Sequence, residues 1–193
     1  MNLSKIHPLI WVVNNFIDLE TRKVIVSETE ALNHSVWMDA ASTLPEDSYW
    51  VNRTISPDNF SVDCREYLNR LSDKVFSCFD NYKEAIQVGN LHRTLPDGRA
   101  LDYHVDNYDG PDIDNIFGVV LYLNDNYTGG EIHYPDLDIE YKPKAGDLVV
   151  HYAGLLHGVK PVFGGTRYIF TSFVRGSEDT TFLGETVDLS TLE

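Results

Sequence analysis

The chain has 193 residues, the size of one domain, and can bury most of the surface its unfolded form exposes without a disulfide or cofactor to hold it together. A formal charge of −15, from 30 acidic and 15 basic residues, would repel a phosphate backbone and argues against DNA or RNA as a partner. Hydrophobic residues make up 42% and aromatics 12%, with 11 Tyr and 9 Phe, a content that leans towards strands.

Ile6 to Val13 is apolar but too short to span a bilayer, and it lacks the charged lead and small-residue cleavage site of a signal peptide. The expectation is a cytoplasmic protein with no membrane association. Asn-x-Ser/Thr triplets such as Asn52-Arg53-Thr54 then say little about glycosylation. Ile10 to Val13 reads as a strand, after which Asp18 caps a helix running to about Leu32. Asp39 to Phe60, with Pro45, Trp50 and Pro57, has no steady periodicity and reads as loop. Ser61 opens a helix whose apolar positions Cys64, Tyr67, Leu68, Leu71, Val75, Cys78 and Phe79 recur at spacings of three and four. The two cysteines fall on this one helix, out of reach of each other, so buried free thiols are expected.

From Ala85 the pattern changes to short strands divided by turn residues: Ala85–Leu95, Leu101–Asp106, Phe117–Leu123, Glu131–Tyr134, Ile139–Lys142, Asp147–Tyr152, Gly158–Val162 and Arg167–Val174. Helices first and strands afterwards predict a mainly β sandwich or barrel with N-terminal helices packed on one outer face. No repeat, low-complexity tract or linker marks a second domain. The reading is a single domain over 1–193, with a helical and loop part to about 84 and a β core from about 85 to 175.

His104-Val105-Asp106 ends a strand-like segment, where residues two apart share a face, so an imidazole and a carboxylate reach one ion. His157, in Gly154-Leu155-Leu156-His157-Gly158, would complete two histidines and one carboxylate. That set leaves open positions on an octahedral ion and is associated with non-haem Fe(II) oxygenases. A 2-oxo acid would fill two of those positions and O₂ the last. His151 competes as third ligand but ranks below His157. Asp102 shares a face with His104 and Asp106 and is a candidate hydrogen-bond partner behind the ligands.

Arg167 follows His157, and Gly164-Gly165 between them reads as a hairpin loop. A three-residue loop would pair Pro161 with Arg167 and put His157, Val159, Arg167, Ile169, Thr171 and Phe173 on one face; a two-residue loop would not. His157 and Arg167 would then stand roughly 13 Å apart along the strands, a span for a small dicarboxylate whose far end meets the guanidinium. Along the strand from Phe117, the alternation gives Gly118, Val120 and Tyr122 a common face, from which Tyr122 reaches the distal carboxylate. Candidate co-substrate contacts are therefore Arg167, Tyr122 and Thr171. Gly118, Val120, Val159, Ile169 and Phe173 line the pocket. For His7, His34, His92, His133 and His151 the expected place is the surface or a hydrogen-bonded core, and the acidic loop Asn107 to Asn115, with Asp109, Asp112 and Asp114, reads as solvated.

In this order the residues resemble the 2-oxoglutarate-dependent oxygenases, in particular their prolyl 4-hydroxylase-like branch, from about Leu91 to Arg175. His104-Val105-Asp106-Asn107 resembles the first ligand pair, and Leu121-Tyr122-Leu123-Asn124-Asp125 the core strand with its co-substrate tyrosine. Gly129-Gly130-Glu131 resembles a turn, and Pro143-Lys144-Ala145-Gly146-Asp147 the lead into the next strand. Leu156-His157-Gly158-Val159-Lys160-Pro161-Val162 and Gly165-Thr166-Arg167-Tyr168 resemble the distal ligand and basic-residue motifs. The resemblance implies a double-stranded β-helix (jelly-roll, cupin-like), Fe(II), 2-oxoglutarate and O₂, with ascorbate as a helper. It also implies hydroxylation of a prolyl residue in a protein or peptide with release of succinate and CO₂. Leu91–Arg99 departs from the tyrosine-rich form of prolyl hydroxylases, so no substrate contact carries over there. Asp106 argues against the halogenating relatives, and Phe173 stands where nucleic-acid demethylases carry a second arginine. The alternatives are a hydroxylase of a free amino acid or other small molecule, and a non-catalytic cupin-like metal-binding module, which would have no use for Arg167.

Overall fold

The computed structural model describes residues 2–37, 54–83, 90–107 and 115–185. The expected loop around Pro45 and Trp50, the start of the strand from Ala85, and Asp109, Asp112 and Asp114 lie outside the described residues.

In chain order, β1 (Asn2–His7) and β2 (Ile10–Asn14) precede α1 (Leu19–Ala31), and β3 (Thr54–Ile55) precedes α2 (Val62–Phe76) and β4 (Phe79–Asp80). Next come β5 (Asn90–Thr94), β6 (Leu101–His104), β7 (Asn115–Tyr122), β8 (Thr128–Gly129), β9 (Ile132–Tyr134) and β10 (Ile139–Tyr141). The series ends with β11 (Leu148–Tyr152), β12 (His157–Val159), β13 (Val162–Phe163), β14 (Arg167–Arg175) and β15 (Thr181–Phe182). Asp18 caps α1 by accepting from the Thr21 amide, and Ser61 caps α2 by accepting from the Cys64 amide. Both helix starts are where the sequence predicts them. Strand β1, missed in the sequence because its side chains are almost all exposed, pairs antiparallel with β2. Cys78 lies just past α2 rather than on it, and both cysteines are buried free thiols.

Two sheets face each other. The larger has seven strands in the order β1-β2-β11-β7-β14-β5-β3, and the smaller has four in the order β10-β9-β12-β6. Strand alternation sorts the side chains of the larger sheet into two apolar layers. Val13, Val119, Leu121, Leu148, Val150, Phe170 and Val174 pack with Ile25 of α1 and Leu68, Leu71 and Val75 of α2, so the helices cover the sheet's outer face. Fully burying each such aliphatic side chain stabilises the fold by roughly 1.5–3 kcal/mol. On the other face, Ile10, Val12, Tyr122, Val149 and Ile169 meet Ile132 and Tyr134 of the smaller sheet. This inner layer is where the site sits. The architecture is the mainly β fold with flanking helices that the sequence predicts, a double-stranded β-helix.

One expectation is overturned. The chain from His157 to Arg167 forms no hairpin: β13 pairs with β8, while β14 pairs with β5 and β7. The predicted strand Gly158–Val162 breaks into β12 and β13, and His157 and Arg167 belong to different sheets. Loop parity is thus irrelevant to whether they share a pocket, because the facing of the two sheets brings both inwards. Among the described residues no helix is long and apolar enough to cross a membrane.

Candidate active site

Antiparallel pairing of β6 with β12 sets His104 directly opposite His157, and residues so paired project to the same face. Their ring centroids are 4.5 Å apart. Asp106 does not continue the strand, as the sequence reading had it; β6 ends at His104 and the chain bends. The amides of Asp106 and Asn107 both donate to the Ala153 carbonyl, at 2.8 and 3.1 Å, and Asn115 donates to the Asp106 carbonyl at 2.8 Å. The carboxylate is thereby turned back between the imidazoles, with Oδ1 3.6 Å from His104 Nε2 and Oδ2 3.7 Å from His157 Nε2. One donor atom from each of His104, Asp106 and His157 falls within 4.8 Å of the others.

The donor set fits a divalent ion. Each histidine uses Nδ1 on a backbone carbonyl two residues earlier, His104 on Asp102 at 2.8 Å and His157 on Leu155 at 2.9 Å. Nδ1 therefore carries the proton, and the Nε2 lone pair is left for a metal. Asp102 takes part through its backbone carbonyl, and the residue itself is exposed. Burial, and then the neighbouring His151, push His157 down to about 4, so it is neutral at pH 7. Burial opposes charge on His104, but the Asp106 carboxylate together with the carbonyl and charge of Asp102 raises this histidine above its ordinary value. Burial likewise opposes charge on Asp106, yet the surrounding imidazoles of His104, His151 and His157 hold its carboxyl well below the usual carboxylate range.

Arg167, only 1% exposed, opens β14 on the larger sheet. Its guanidinium donates to Thr94 Oγ1 at 3.2 Å and reaches the Tyr122 hydroxyl at 3.4 Å. The register of β14 against β5 and β7 explains this grouping, since Arg167 pairs with Thr94 and Ile169 pairs with both His92 and Tyr122. Thr171 and Phe173 pair with Val120 and Gly118 on the same ladder, and buried Val159 lies on β12 two residues from His157. The left-handed backbone of Gly130, at φ +70°, brings Tyr127 against Arg167, where a Cβ would meet the Tyr127 ring at 3.0 Å and Arg167 Cδ at 3.4 Å. The Tyr127 hydroxyl is buried with no hydrogen-bond partner among the described residues. An orphaned hydroxyl beside a buried guanidinium suits an anionic ligand such as a carboxylate.

Sequence reasoning missed Thr94, Tyr127 and Lys142, whose ammonium lies 3.9 Å from the centre of the Tyr127 ring. Thr94 stood in a segment set aside for lacking tyrosines, and only strand pairing puts it against Arg167. Of the remaining histidines, His92 is buried and bonded to Thr54 Oγ1 at 3.0 Å, His133 meets the Tyr103 hydroxyl at 2.6 Å, and His7 accepts from the Leu9 amide at 3.2 Å. His151 is wholly buried beside Asp106.

The two-sheet β-helix is the fold of solved prolyl hydroxylases. A prolyl hydroxylase from Trichoplax adhaerens, solved with a hypoxia inducible factor peptide, superposes with a TM-score of 0.67 at 20% identity, over 86% of this chain and 83% of that one. No protein-family model matches the chain. A PKHD-type hydroxylase of Maricaulis maris is 37% identical over 83 residues, 41% of this chain and 38% of that protein, so the match spans less than half of that relative's length. A PKHD-type hydroxylase of Prochlorococcus marinus is 24% identical over 180 residues, covering 82% of this chain and 80% of that one. The chain is thus similar in sequence to PKHD-type hydroxylases, over part of its length at 37% identity and over most of it at 24%, and shares the fold of a solved prolyl hydroxylase.

Proposed function

We propose that the chain is an Fe(II)- and 2-oxoglutarate-dependent oxygenase that hydroxylates a prolyl residue in a protein or peptide. The observation that carries this reading is the convergence of His104, Asp106 and His157 within 4.8 Å, with both Nε2 atoms freed for a metal. These three residues would hold the iron. Bound there with 2-oxoglutarate, Fe(II) supplies the oxidising chemistry in which O₂ is consumed and succinate, CO₂ and a hydroxylated product leave.

The chain's own residues do the rest by position. Arg167 takes the far carboxylate of the co-substrate through its planar fork of N–H donors, aided by the Tyr122 and Tyr127 hydroxyls and backed by Thr94. Thr171, Ile169, Val120, Val159, Gly118 and Phe173 form the walls. Tyr122, 0% exposed, and Ile169, 6% exposed, keep water from the carboxylate pair, which strengthens it in the drier surroundings. The prolyl part of the reading is supported by the peptide-bound relative and the PKHD-type matches.

The test is succinate formation from 2-oxoglutarate by the purified protein with Fe(II) and ascorbate, in the presence of proline-containing peptides. Mass spectrometry should find one added oxygen on proline. No succinate under any substrate mixture would remove the oxygenase reading, and oxygen added to a free amino acid instead would replace the prolyl one.

A further inference from the structure

Resting on the metal reading above, we infer that His151 is a positioning residue that clamps the Asp106 carboxylate from behind in the orientation that binds the ion. His151 lies on β11, on the inner face of the larger sheet, and is 0% exposed. Its Nδ1 is 3.1 Å from the Tyr134 hydroxyl, which reaches it from β9 of the opposite sheet. Its Nε2 is 3.2 Å from Asp106 Oδ2, an ion-pair distance outside hydrogen-bond geometry, and it has no hydrogen-bond partner among the described residues.

The tautomer follows from these two neighbours. An Nε2 lone pair facing a carboxylate oxygen would be repelled, so Nε2 carries the hydrogen and Nδ1 accepts from the tyrosine. Carrying that hydrogen, Nε2 has no lone pair for a metal, which removes His151 as a rival to His157 for the third ligand position. What it does instead is restrain rotation of the carboxylate, leaving Oδ1 on the side of His104.

The backbone is cut to allow this. Gly118 is the direct cross-strand partner of His151 on β7. A Cβ there would stand 2.2 Å from His151 Nε2 and 2.3 Å from Asp106 Oδ2, so any side chain would part the two groups. Gly118 is thus the space through which the larger sheet grips a ligand supplied by the chain that follows the smaller one.

The experiment measures the affinity of the full chain for Mn(II), by electron paramagnetic resonance of the free ion, alongside thermal unfolding. His151→Phe keeps a ring and removes the donor, and His151→Gln restores an N–H near the position of Nε2. The expected result is a roughly 10–100-fold loss of Mn(II) affinity in His151→Phe, the usual cost of losing such a partner, and recovery of most of it in His151→Gln. Should His151→Phe not fold, Tyr134→Phe deletes only the hydroxyl that sets the tautomer and should lower affinity several-fold. Unchanged affinity in the folded variants, or equal loss in Phe and Gln, overturns the positioning role while leaving the oxygenase reading in place. A wild-type chain that binds no Mn(II) overturns both.

Discussion

His104 and His157 are direct cross-strand partners, and each spends its Nδ1 on the carbonyl two residues before it. Antiparallel pairing makes them neighbours on one face, and the repeated local bond gives both the same tautomer. Two candidate ligands far apart in the chain are thereby given the same tautomer by the fold itself.

His104→Ala and His157→Ala should therefore lose metal to a similar degree, by 100-fold or more (roughly 3 kcal/mol). His133→Ala, close by on β9 but bonded to Tyr103, should bind as the wild type does. Equilibrium titration with Mn(II) separates these cases, and a loss confined to one of the two histidines would contradict a shared site.

Arg167→Ala should weaken 2-oxoglutarate binding by about 10–100-fold, the loss of charge-assisted hydrogen bonds, while Mn(II) affinity changes little. Calorimetry with the metal-loaded protein measures the first and metal titration the second. Equal loss of both would make Arg167 a structural residue.

Acid should destabilise the fold through His92. Burial first, and then the nearby Arg167 charge, lower this histidine from 6.5 to about 4. Between those values the unfolded chain binds the proton that the folded chain refuses, so stability is kept above pH 6.5 and lost as pH falls towards 4. The full difference is of the order of 3 kcal/mol. Denaturant unfolding at pH 7 and pH 4.5 should show a steeper loss in the wild type than in His92→Gln, and parallel losses would refute the assignment.

Leu68→Ala in α2 should cost about 2–5 kcal/mol of stability, since this side chain is 3% exposed in the outer apolar layer. Mn(II) affinity in the folded fraction should not move. A shift in affinity would mean that the helix layer couples to the site across the larger sheet.

Much of the fold is written locally. Asp18 and Ser61 cap their helices through bonds that span three residues, and the apolar spacing of Leu68, Leu71 and Val75 marks a buried face wherever the helix ends up. The alternation of Phe117 to Leu123 likewise assigns Val119 and Leu121 to one layer and Tyr122 to the other, because strand geometry has a period of two. His104, Asp106, Tyr122, His157 and Arg167 stood out by motif and order.

What joins them is not local. The sequence reading linked His157 to Arg167 through a hairpin, yet the chain between them leaves one sheet and enters the other. Thr94 against Arg167, Tyr127 under Gly130, and His151 behind Asp106 through the gap at Gly118 all depend on pairings between distant strands. By itself the sequence determined the candidate ligands and the arginine, and which face of a regular strand or helix such as Phe117–Leu123 or Leu68–Val75 each side chain occupies, since side-chain direction follows from backbone period. Only the tertiary structure decided which faces meet, because register and the facing of two sheets are set by the burial of the whole apolar inner layer rather than by any single segment.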